Sequence, residues 1–141
     1  MKKISLTVDL PYPIEKVWKA ITEPELMSQW LMPTDFQPEV NHEFTFKGTP
    51  NKFWRGWTAC KVIAVKPMEQ VQFTWQNSEK QTPTLITYTL TKTSTGTTIQ
   101  ATNEGFDNTY GPFAGLFYRQ MIKAGMKQEF SKKLPAVLSK I

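Results

Sequence analysis

The chain has 141 residues, of which 40% are hydrophobic and 13% aromatic, and a formal net charge of +5. That length suits one domain spanning 1–141, and the apolar content excludes intrinsic disorder. A single cysteine, Cys60, excludes an intrachain disulfide and fits a reducing, cytoplasmic setting with the thiol as a small buried hydrophobe.

The N-terminal stretch alternates, with Ile4, Leu6, Val8 and Leu10 on one side and Lys3, Ser5, Thr7 and Asp9 on the other. This is the pattern of a half-buried strand and not of a signal peptide. Pro11 and Pro13 stop it, and Ile14, Val17, Trp18 and Ile21 then recur at helical spacing. Thr22-Glu23-Pro24-Glu25 reads as a capping box with Thr22 as N-cap, opening a second short helix that carries Leu26, Met27 and Trp30.

Strands are expected next at about 36–40, at 42–47 with Phe44 and Phe46 on one face, and along 53–65. In the last of these the inward face is ambiguous. Trp57 shares parity with Phe53, Ala59 and Ile63, whereas Cys60 and Val62 take the other side, and a bulge near Gly56 could switch register. Val71, Phe73 and Trp75 alternate with polar residues, as do Ile86, Tyr88 and Leu90, and Ile99, Ala101 and Asn103 close the series. Short turns between these runs imply an antiparallel meander. From Pro112 a helical pattern continues almost to the end, with a kink expected where Pro135 crowds Ser131. Phe113, Phe117, Met121 and Ala124 form one apolar face of it, and Met126, Phe130, Leu134, Val137 and Ile141 another. Either this helix bends near Gly125 or it is apolar on two sides.

The order predicts an α+β fold, a curved antiparallel sheet of about seven strands wrapped around a long C-terminal helix, with two short helices after the first strand. A curved sheet and a straight helix cannot touch along their whole length, so a cavity between them is the expected binding site. Phe44, Phe46, Trp57, Trp75 and Tyr88 on the sheet, with Phe117 and Met121 on the helix, are the candidate apolar lining. Asn103, inward by parity, is the candidate polar contact, and a hydrogen bond to a neighbour such as Tyr88 would be the purely structural explanation for it.

Other chemistries lack residues. A zinc site needs several converging ligands, and the chain has one Cys and one His. His42 stands alone beside Phe44, without the partners of a nucleophilic triad. No glycine-rich phosphate loop opens a helix, and no apolar run is long enough for a membrane span. Residues 1–112 carry 11 charges of each sign, so the excess lies in the last helix, where Arg119, Lys123, Lys127, Lys132, Lys133 and Lys140 face only Glu129. These cations are too dispersed for a nucleic-acid footprint and read as a solvated helix face.

The stretch from Leu10-Pro11-Tyr12-Pro13 through Val17-Trp18, Glu23-Pro24-Glu25-Leu26 and Trp30-Leu31 resembles the opening of the activator of heat-shock protein 90 ATPase homologue-like proteins. The similarity continues through Lys66-Pro67, Phe73-Thr74-Trp75 and Asn103-Glu104-Gly105-Phe106. It implies a helix-grip fold of the START-like (SRPBCC) superfamily, whose members hold lipids, sterols, polyketides or other apolar molecules in a cavity. The expected function is therefore binding of a small hydrophobic or amphipathic molecule, with no cofactor and no metal. Two alternatives are a chaperone-associated or other interaction module acting through the basic helix, and a cyclase-like enzyme using Tyr88 or Glu104 in the same cavity. A monomer or a dimer fits equally.

Overall fold

Period-two alternation builds most of the sheet. The computed structural model describes residues 3–105 and 107–141, excepting the side chains of 107–115 and 118. Six strands, β1 (Lys3–Leu10), β2 (Glu43–Lys47), β3 (Trp57–Lys66), β4 (Gln70–Gln76), β5 (Thr84–Lys92) and β6 (Thr97–Glu104), pair antiparallel in the order β1-β6-β5-β4-β3-β2. Between β1 and β2 lie α1 (Ile14–Thr22) and α2 (Pro24–Trp30). The chain ends in α3 (Asp107–Gln128), a π-helical turn (Glu129–Lys133) and α4 (Leu134–Leu138). The helix-grip α+β architecture is thus present with six strands among the described residues. No helix among those residues is long and apolar enough to cross a membrane.

One face of the sheet is apolar and the other polar. Rows of inward side chains run across it, such as Ile4, Asn103, Ile86, Phe73 and Val62 on successive strands. The outer face is laced by hydrogen bonds between side chains, Gln70 to Thr89, Gln72 to Thr87 and Thr98 to Asp9. β-branched and polar residues on a solvated pleat make this alternation stable.

Three local expectations need correction. The segment at 36–40 forms no strand. Residues 33–35 instead run along the outer edge of β2, where Thr45 N–H donates to Asp35 Oδ1, Thr34 Oγ1 donates to the Thr45 carbonyl and Lys47 N–H donates to the Pro33 carbonyl. This frees Phe36 to turn fully into the core. In β3 the inward set is Thr58, Cys60 and Val62, so Trp57 points out, 40% exposed, with the Arg55 guanidinium 3.3 Å over its ring. The register irregularity falls between Val62 and Ala64 and not near Gly56. Thr22 is the last residue of α1, its hydroxyl donating to the Trp18 carbonyl, while Glu23 precedes Pro24 without a side-chain cap.

The cover of the concave face is seated mainly by its C-terminal end. Met126, Phe130, Leu134, Val137 and Leu138 are buried there, whereas Leu116, Phe117 and Met121 of α3 are exposed. Four-residue spacing in a 3.6-residue helix precesses by about 40° per step. The π turn takes up that drift at the place where Pro135 cannot donate to the preceding turn, and Leu134 N–H reaches back to the Glu129 carbonyl. The bend therefore lies at Glu129–Lys133, close to Pro135 and a turn past Gly125.

Trp30 ties the short helices to this cover. Its ring is fully buried, 5.0 Å from Phe130 and 6.2 Å from Tyr88, and its Nε1 donates at 2.9 Å to the Ala20 carbonyl near the end of α1. That carbonyl is among those a helix end leaves without an intrahelical partner. Trp30→Phe should keep most of the volume yet strand the carbonyl, lowering unfolding free energy by about 1–3 kcal/mol in urea titration. A loss under about 0.5 kcal/mol, the scale of an ordinary surface substitution, would show that the bond does not hold α1 in place.

Candidate functional site

The concave face is only partly filled beneath the C-terminal helix. A cavity of about 190 Å³ remains, and an engineered apolar cavity of ~150 Å³ is already large enough to take benzene. Its floor is β4 to β6, through Trp75, Ile86, Tyr88, Thr102 and Asn103. Its roof is the helix from Met121 to Phe130, and Leu31 and Met32 close one side after α2. Met121, 63% exposed, and exposed Gly125 mark the opening to solvent.

Of the eight residues expected from the sequence to line a cavity, four meet here: Trp75, Tyr88, Asn103 and Met121. Phe44 and Phe46 are buried beside it, Phe46 packing at 5.3 Å on Trp75 and Phe44 at 5.5 Å on Phe73. They form the wall behind the lining. Trp57 faces outward, and Phe117 is 79% exposed, so neither reaches the space. His42 precedes β2 and stacks on Phe44, its Nε2 3.0 Å from the Asp35 carbonyl. Glu104 alternates to the outer face, in register with Lys3.

The polar groups of the cavity differ in what they have left to offer. Trp75 Nε1 already donates to Asn77 Oδ1 at 3.0 Å, so the indole presents its ring alone. Asn103 is 6% exposed and its Oδ1 has no hydrogen-bond partner. Tyr88, the neighbour that could have satisfied it, lies instead opposite Ala101, while Asn103 sits between Ile4 and Ile86, neither of which can donate. A buried carbonyl without a donor costs about 1–3 kcal/mol. Burial pushes the Tyr88 phenol well up, reinforced by Glu129 and Cys60, so it stays protonated and available as a donor.

Glu129, which the apolar periodicity gives no reason to single out, joins the lining from the π turn. Its carboxyl is raised to about 7, because burial disfavours the charge more than Lys133, four residues on, favours it. A signal exists in the sequence, since Glu129 is the one acid among six cations in residues 113–141.

The family described as Activator of Hsp90 ATPase homolog 1-like protein matches residues 11–139. The chain belongs to that family. Its fold also resembles that of a Mesorhizobium loti protein, with TM-score 0.82 and 29% identity over 99% of this chain and 98% of the other. A Bacillus halodurans protein gives TM-score 0.81 at 22% identity, covering 98% and 97%. The AHSA1-like protein from Aeromonas hydrophila gives 0.72 at 15%, covering 96% and 93%. No curated protein matches. The family and its START-like fold account for the layout of sheet, helix and cavity.

The raised Glu129 carboxyl makes stability depend on pH. Its folded value lies above its ordinary one, so the native state binds the proton more tightly than the unfolded chain does. Stability should therefore fall as pH rises from about 4.5 to about 7, then level off. The carboxyl is partly solvent-screened, so the loss should be about 1–2 kcal/mol, or roughly 3–6 °C in Tm. Glu129→Gln should remove this component and raise Tm at pH 8. Parallel Tm curves for the two proteins from pH 5 to 8 would show that the carboxyl is not desolvated by the fold.

Proposed function

We propose that the protein binds a small hydrophobic or amphipathic molecule in the cavity between the sheet and the C-terminal helix. One observation carries this reading: a buried, open-mouthed, ring-lined space that contains a polar atom left without a partner, Asn103 Oδ1. A ring-lined cavity with a convergent polar atom is the usual form of a site for a small apolar molecule. Family membership supports the same reading through the START-like layout. The buried free thiol of Cys60 agrees with a cytoplasmic, reducing setting.

A second reading rests on α3. Leu116, Phe117 and Met121 are exposed on the helix that also carries Lys123 and Lys127. An apolar stripe with flanking cations is a surface for a protein partner, and in this reading it acts beside the cavity.

Gly125 offers a direct test of the first reading. It lines the cavity mouth, and a Cβ placed there meets nothing within 4 Å. Gly125→Leu should block entry while leaving the fold intact or slightly stabilised, since Gly in a helix interior costs about 1 kcal/mol relative to good helix formers. Titration with indole or toluene, followed by amide chemical shifts, should show saturable binding near Tyr88 and Asn103 that weakens at least tenfold in the variant. If neither probe binds the unaltered protein, the carrier reading is lost.

A further inference from the structure

Resting on the cavity as a ligand site, we infer that its ligand is a ring-sized apolar amine, whose ammonium group donates hydrogen bonds to Asn103 Oδ1 and the Glu129 carboxylate. The volume sets the size, about that of one aromatic ring with a short side chain. The polar groups in the lining set the chemistry. One of its groups, Asn103 Oδ1, is a buried acceptor without a partner, and a second, the half-buried Glu129 carboxyl, lines the same space with no hydrogen bond or ion pair to a described residue. The third, Tyr88 Oη, is amphoteric.

No Lys, Arg or His is among the described residues that line the cavity. The undescribed side chains of 107–115 and 118 include none either, by sequence. Arg119 is turned toward the sheet edge, its guanidinium 3.5 Å from the Lys3 carbonyl. A ligand carboxylate would thus meet a carboxyl and a carbonyl oxygen with no cation in the lining to offset them. An ammonium group meets charge-assisted acceptors and the faces of Trp75, Tyr88 and Phe130, which attract cations. The lining holds a buried acceptor without a partner and a carboxyl, and no described cation to offset an anion.

The amine also couples binding to pH. Facing Glu129 are Tyr88 on β5, with Cys60 behind it on β3, and Lys133 on its own turn; Leu31 and Met32 after α2, and Thr102 and Asn103 on β6, carry no charge. A neighbouring ammonium favours the ionised carboxyl, so the amine displaces the proton that the empty site holds near pH 7. Affinity for the amine should rise by roughly tenfold or more between pH 5.5 and pH 8.

Three probes with one ring and different polar ends, 2-phenylethylamine, 2-phenylethanol and phenylacetate, test this by calorimetry and amide chemical shifts, with indole as a control for the cavity. At pH 8 the amine should bind at least tenfold tighter than the alcohol, and phenylacetate should bind weakest. Glu129→Gln should weaken the amine at least tenfold, abolish its pH dependence and leave the alcohol within about threefold. Asn103→Leu should weaken the amine similarly while raising Tm, because an unsatisfied buried carbonyl is replaced by an apolar group. Phenylacetate or phenylethanol binding as tightly as the amine at pH 8 would overturn the amine inference and leave the cavity reading standing, as would indole binding without the amine. If indole fails along with all three probes, the cavity reading itself is lost.

Discussion

The arrangement depends on how the cover is fastened to the sheet. A one-faced sheet needs its apolar side shielded, and here the shield is anchored through a chain of rings: Phe73 at 5.6 Å from Tyr88, Tyr88 at 5.3 Å from Phe130 and Phe130 at 5.0 Å from Trp30. Edge-to-face contacts of this kind add about 0.5–1.5 kcal/mol each beyond the area they bury. The two that involve Phe130 lie at the C-terminal end of the cover. α3 also meets β1, where the Arg119 guanidinium reaches the Lys3 carbonyl, and the cavity lies beneath the helix between that contact and the ring-lined seat.

The π turn serves both the anchoring and the chemistry. It keeps Met126, Phe130, Leu134 and Leu138 on one side despite their four-residue spacing, and it places Glu129 in the cavity lining. Sustained α-helix through Pro135 would meet a missing donor and a steric clash. The same irregularity that accommodates a proline thus supplies the cavity with its one described ionisable carboxyl.

Legibility in the sequence followed the strength of the local pattern. β1, β4, β5 and β6 are clear from alternation because each has one apolar parity, and Asn103 is rightly inward for that reason. β3 is ambiguous because Trp57 and Ile63 on one parity compete with Cys60 and Val62 on the other; its register settles the facing by setting Cys60 beside Phe44 and Trp75 and Val62 beside Phe73, and no periodicity within β3 reports that pairing. Thr22 misleads because its hydroxyl satisfies a carbonyl behind it in α1 and not an amide ahead. On the last helix two apolar faces can be read, but which of them meets the sheet depends on tertiary packing. That is why Phe117 falls outside the cavity and Glu129 falls inside it.

The strap of residues 33–35 has a consequence for life in a crowded solution. An open sheet ends in strands whose unpaired amides and carbonyls can template a neighbouring chain. At β2 the outward-facing amides of Thr45 and Lys47 and the Thr45 carbonyl are already engaged by Asp35, Pro33 and Thr34. The border is short, is flanked by Glu43 and Lys47 and has those groups occupied, which leaves a second molecule little ladder there to extend. The middle of that rim is masked by two side chains and one carbonyl of the segment that precedes it.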